Sequence, residues 1–112
     1  MLHIDIVCVG KIREKYLKDA IDEYKKRLSK YCILNIIELP DEKLPSKLND
    51  SISFEIKQKE SNLILSHIKK DSYVIALDLK GKNYTSVEFS NKIQDLSLIT
   101  SHITFLIGGT LG

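Results

Sequence analysis

The sequence predicts a single-domain α/β fold: a mostly parallel β-sheet flanked by helices, spanning residues 1–112. Three observations carry that prediction. Short apolar runs rich in Ile, Val and Leu alternate with longer segments of helical periodicity, in the order β-α-β-α-β-α-β. The first run has one apolar face and a second that is mostly apolar, as strands of a covered parallel sheet do. The last run, Ile103-Thr104-Phe105-Leu106-Ile107, carries no charge and opens into Gly108-Gly109. In open α/β sheets, ligands bind outside the carboxyl ends of strands, so this glycine loop is the first candidate site. A loop of this kind normally leads into a further element, so the chain is expected to be the front part of a longer protein.

Residues 2–9 form the first strand, with Ile4, Ile6 and Cys8 on one side and Asp5, Val7 and Val9 on the other. Gly10 ends it. Residues 14–30 form the first helix, in which Leu17, Ala20, Ile21, Tyr24 and Leu28 make an apolar stripe. Lys25, Lys26, Arg27 and Lys30 cluster at its end. Complementing the helix dipole explains them; phosphate contact is the functional alternative. Residues 33–39 form the second strand, halted by Pro40. A polar loop with Pro45 follows, up to Asp50, and is the longest connection.

Ser51 or Asp50 is expected to cap a second helix over residues 52–70. Ile52, Ile56, Leu63, Ile64 and Ile68 supply its core face. Residues 58–62 interrupt that face, which points to an exposed middle turn. His67 reads as a surface or edge histidine. Residues 73–79 form the third strand. Asp78 near its carboxyl end is either a pocket wall or a strand-end cap. Residues 80–83 turn the chain. Thr85-Ser86-Val87-Glu88 is a capping box. It starts a third helix reaching about Thr100, with Phe89, Ile93 and Leu96 inward. The last strand covers residues 102–107. A structural role is expected for His102.

Composition narrows the function classes. A chain of 112 residues with 43% hydrophobic and 29% charged residues suits one soluble core. The net charge of +2 gives no global case for nucleic acid, but residues 11–30 hold eight Lys or Arg against four acids. No apolar run is long enough to cross a membrane, and the N-terminus lacks signal-peptide character, so a cytoplasmic location is expected. Cys8 and Cys32 form no C-x-x-C pair, and no metal site is expected. The dinucleotide fingerprint, the P-loop and the G-x-S-x-G elbow are all absent. Asp22-Glu23 and Asp41-Glu42 are sequence neighbours and read as solvated. What remains is two loops, after Leu77 and at Gly108-Gly109. Both bend at carboxyl ends of strands and can border one crevice if those strands are adjacent.

Residues along the whole chain carry a family resemblance. They are Val9-Gly10-Lys11 followed by Tyr16, Ala20-Ile21 with Glu23-Tyr24, and Lys26-Arg27-Leu28. Further on come Ile37-Glu38-Leu39-Pro40-Asp41-Glu42-Lys43 and Lys59-Glu60 with Ile64-Leu65. Val74-Ile75-Ala76-Leu77-Asp78 with Gly81-Lys82, and Ile107-Gly108-Gly109 with Gly112, complete the pattern. In these the sequence resembles the small SPOUT-class methyltransferases of bacterial ribosomes, the ribosomal RNA large-subunit methyltransferase H family. The resemblance implies S-adenosylmethionine as methyl donor and N3 of a pseudouridine in 23S rRNA of the assembled ribosome as target. It also implies a homodimer and a trefoil-knotted SPOUT (α/β knot) fold. Leu77 and Gly108, with Gly109, match two of the family's three donor-binding loops. The third lies in a C-terminal segment that also forms the knot, most of the dimer contact and the catalytic groups, and no residue here matches it. No catalytic base is therefore assigned, and this chain alone is expected to bind donor weakly without turnover.

Lys11, Arg13 and Lys15, just past the first strand, are the candidate RNA contacts. The alternative function is a non-catalytic flavodoxin-like module that binds a nucleotide or a partner protein in the same crevice. The plainest reading is an α/β domain whose glycine loop is only a tight turn.

Overall fold

A computed structural model describes residues 1–40, 49–77 and 81–108. Seven elements follow in the expected order: β1 (Leu2–Val9), α1 (Lys15–Leu28), β2 (Cys32–Leu39), α2 (Asp50–Ser66), β3 (Tyr73–Leu77), α3 (Ser86–Ser97) and β4 (His102–Ile107). The strands form one sheet in the order β2-β1-β4-β3. Every pairing is parallel. The last strand in sequence thus lies inside the sheet, between β1 and β3.

Register partners in a parallel ladder share a face, so the pairings sort the side chains. Ile4 pairs with Leu34 and Ile103, and Ile6 with Ile36 and Phe105, while Phe105 also pairs with Ile75. This apolar face meets α3, where buried Leu96 packs with Ile103 and Phe105, and Ile93 lies against them. Phe89 leans on Phe105 at a centroid distance of 5.9 Å. The three inward positions of the third helix are those that the helical spacing selects.

The other face of β1 is apolar at Val7 and Val9, which pair with Ile37, Leu106 and Leu39, and polar toward its amino end. Asp5 pairs with Asn35 and Thr104, and His3 with His102. Asp5 is 2% exposed and Thr104 is fully buried. A buried carboxylate must have partners. Asn35 Nδ2 donates to Asp5 Oδ1 at 3.2 Å, and His102 Nε2 is 3.0 Å from Asp5 Oδ2. The His3 and His102 rings stack at 5.3 Å. The Ser72 and Thr104 hydroxyls hydrogen-bond to each other. His102 is thereby structural.

Helix ends carry two corrections and one agreement. Asn49 caps α2, its Oδ1 accepting from Ile52 N at 2.8 Å; neither Asp50 nor Ser51 does so. The helix stops at Ser66 rather than at residue 70, with His67 as its C-cap. The capping box of α3 is present: Thr85 Oγ1 accepts from Glu88 N, and Glu88 Oε1 accepts from Thr85 N, both at 3.1 Å. That backbone donor holds the Glu88 carboxyl below its usual range.

The middle turn of α2 is exposed as expected at residues 58, 59, 61 and 62, and Glu60 is the buried position within it. One further expectation fails on packing. The α1 stripe is amphipathic, yet α1 buries no residue: Leu17, Tyr24 and Leu28 are exposed. α1 also begins at Lys15 and ends at Leu28, inside the expected 14–30. Pro45, Asp78, the Asp41-Glu42 pair and most of the long loop fall outside the described residues.

Candidate functional site at the carboxyl ends of β3 and β4

β3 and β4 are neighbours, and Leu77 is the Cα partner of Ile107. Leu77 and Gly108, the positions that the sequence singles out, therefore lie at neighbouring strand ends. Between them opens a cleft of about 1080 Å³. Ile64, Ile75, Leu77, Leu106, Ile107 and Phe89 give it an apolar lining, and Gly81, Lys82, Asn83, Tyr84 and Thr85 form its polar side. Leu77 is 51% exposed and Ile107 40% exposed, so apolar surface is presented toward the opening. Lys82 Nζ sits 5.2 Å from the Tyr84 ring centroid, a cation–π contact on the rim.

Why the chain makes this shape follows from local rules. Parallel strands end together at one edge, and the connections leave from that edge. The capping box fixes where α3 starts, immediately after the residue 81–84 segment, and so sets the outer side of the cleft. Gly108 lines the cleft without a Cβ, which leaves its backbone open to a close-approaching ligand. Gly109 falls outside the described residues.

An adenosyl group fits such a lining. A flat ring needs apolar walls, a ribose needs a few backbone polar groups, and a pocket of several hundred Å³ is the usual scale. Leu77 and Ile107, register partners on one face, can wall the ring, and the backbone at Leu77 and Gly108 can meet its polar edge. Among the described residues lining the cleft, the ionisable ones are Lys82 and Tyr84. No group of three or more His, Cys, Asp or Glu is placed to hold a metal among the described residues.

Lys11, Arg13 and Lys15 are all exposed, just past the carboxyl end of β1. Because β1 runs parallel to β4 beside it, they lie at the cleft end of the sheet. Their loop is held in place. Gly10 takes φ 106°, Gly10 N donates to Leu39 O at 2.7 Å, and Ile12 N donates to Glu38 Oε2 at 2.9 Å. The sequence reading did not single out Glu38 for that role. Nearby Cys8 is half-buried, and burial, with the Glu38 charge, pushes its thiol pKa up. A raised thiol pKa and partial burial fit the small-hydrophobe reading of Cys8. Among the described residues no helix is long and apolar enough to cross a membrane.

Residues 2–112 match the family model described as "Predicted SPOUT methyltransferase". The chain is 60% identical over 112 residues to ribosomal RNA large subunit methyltransferase H of Clostridium botulinum (strain Hall), covering 99% of this chain and 70% of that protein. It is 54% identical over 112 residues to ribosomal RNA large subunit methyltransferase H 1 of Clostridium perfringens (strain SM101), with the same coverage. A match over nearly the whole chain, on a parallel sheet whose adjacent strands open an apolar cleft at their carboxyl ends, places this chain in the SPOUT methyltransferase family.

Proposed function

We propose that the protein is an S-adenosylmethionine-dependent methyltransferase that acts on N3 of a pseudouridine in 23S rRNA of the assembled ribosome, as a cytoplasmic homodimer. The observation that best supports the reading is the Leu77–Ile107 pairing at the strand ends, where Leu77 and Gly108 line one cleft. The names of the relatives support rRNA as the substrate class.

In this reading Leu77, Gly108 and Gly109 seat the donor. The donor supplies an electrophilic methyl group on a positively charged sulfur. The chain's own residues bind and orient it. Leu77 and Ile107 keep water from one side of the ring, and the backbone near Gly108 meets the polar edge. Lys11, Arg13 and Lys15 meet RNA phosphates at the same end of the sheet. Bound in the cleft, the donor would supply a methyl group for transfer from sulfur to N3, and the N3 proton would have to leave to a base or to water. In this reading the 112-residue chain by itself binds donor weakly and does not turn over.

Calorimetry with S-adenosylmethionine tests this directly. Weak, saturable heat from the chain, lost in Gly108→Val, is the expected result. Unchanged binding in Gly108→Val would sink the donor-site assignment, and submicromolar affinity would sink the weak-binding part. Transfer of labelled methyl from the donor to 23S rRNA tests the substrate.

A further inference from the structure

The carboxyl end of the sheet accounts for one group of basic residues. A second group lies at the opposite end. α1 closes with Lys25, Lys26 and Arg27 in its last turn, followed by Lys30 and then Tyr31, one residue before β2 begins. Glu23, Lys26, Arg27, Lys30 and Tyr31 line a shallow hollow of about 380 Å³ there. Tyr31 is 75% exposed. Its backbone is fixed by a 2.9 Å bond from Tyr31 N to Leu28 O, so the exposed ring projects from an ordered turn.

The charges in the hollow are not equivalent. Arg27 Nε is paired with Glu23 at 2.9 Å. Lys26 and Lys30 are exposed and have no ion-pair partner among the described residues. Complementing the helix dipole accounts for a positive charge here, but it requires neither the hollow nor an exposed aromatic ring beside it. Two free ammonium groups next to an accessible ring are the chemistry that holds an RNA strand: lysines neutralise phosphates, and a tyrosine face stacks an unpaired base. The charge is complementary to a polyanion and poorly suited to an apolar or basic partner.

We propose that Lys26, Lys30 and Tyr31 form an RNA-anchoring surface, remote from the methyl-donor cleft, that takes an unpaired RNA segment with phosphates on the two lysines and a base on the tyrosine ring. The inference rests on the reading of the protein as an RNA methyltransferase and adds a second contact to it. The hollow lies at the amino end of β2, an eight-residue strand, so it stands about 25 Å along the sheet from the carboxyl end. RNA is then gripped at both ends of the sheet, with the reacting base at one end only.

The test is fluorescence anisotropy of the 112-residue chain with a labelled RNA hairpin bearing an unpaired loop, in rising KCl, without donor. Lys26→Gln with Lys30→Gln is expected to lower the magnitude of the log–log salt slope by about 1.4. Tyr31→Ala is expected to weaken binding roughly five-fold or more at unchanged slope, and Tyr31→Phe to restore it. All three positions are exposed, and circular dichroism checks that the fold is retained. Wild-type affinity and slope in these variants, with loss on Lys11→Glu, would overturn this inference and leave the methyltransferase reading standing. No RNA binding by the wild-type chain would overturn it as well. Because no donor is present, neither result depends on whether the cleft binds S-adenosylmethionine.

Discussion

His102 Nε2 donates to Asp5 Oδ2 at 3.0 Å and joins β4 to β1 across 97 residues of sequence. Burial opposes ionisation of Asp5, but the hydrogen bonds from His102 and Asn35 outweigh it and hold the carboxyl below its ordinary value of 3.8. A depressed carboxylate pKa stabilises the fold above the unfolded value, and that contribution is lost as pH falls through the folded one. In urea titrations, Asp5→Asn should therefore be less stable than the wild type at pH 7. The difference should shrink as pH drops below 3.8. His102→Ala, which removes a charge-assisted hydrogen bond from a buried carboxylate, should cost about 2 kcal/mol at pH 7.

Thr85 satisfies an otherwise free N–H at the start of α3 and helps fix the outer side of the cleft. Thr85→Ala should destabilise the fold by about 1 kcal/mol. It should also weaken donor binding, because the segment that precedes α3 lines the cleft. Chemical denaturation and calorimetry on the same variant give both numbers. A stability loss without any change in donor heat would separate the cap from the site.

Leu77 presents an exposed apolar side chain to the cleft beside Ile107. Leu77→Asp should disfavour an apolar ring in the cleft and weaken donor binding at least ten-fold. Thermal stability should change little, since the side chain is already half in solvent. A variant that binds donor normally would show that the ring sits elsewhere.

Cys8 and Glu38 form a chemical probe of the β1 end. Burial and the Glu38 carboxylate both raise the Cys8 pKa above its ordinary value of 9.0. Iodoacetamide should thus label Cys8 slowly at pH 8 in the folded chain. Glu38→Gln keeps an oxygen acceptor for Ile12 N–H but removes the charge. Labelling should then be faster. A slower rate in Glu38→Gln would contradict the electrostatic account.

Several of these features were legible in the residues alone and others were not, for physical reasons. The alternation of elements is written in local periodicity, and the Thr85–Glu88 box is a four-residue pattern, so both can be read directly. Asn49, Asp50 and Ser51 are three competent caps in a row, and only the chain's path selects Asn49. The α1 stripe reports amphipathicity, but periodicity does not say whether a partner covers it. Asp5 and His102 meet only because β4 inserts beside β1, and no local signal encodes a contact at that separation. The cleft has the same status. Leu77 and Gly108 each stand out as bends, but their adjacency is a matter of strand order.

The insertion of β4 also shapes how the protein can be made. During synthesis β1 and β2 can zip together once α1 has formed, but β3 leaves the ribosome with no neighbour of its own. It must wait for a later-emerging strand to slide between it and β1. Until then the nascent chain carries an apolar five-residue segment, Tyr73–Leu77, with bare backbone edges, the kind of species that chaperones hold and that aggregates when they do not.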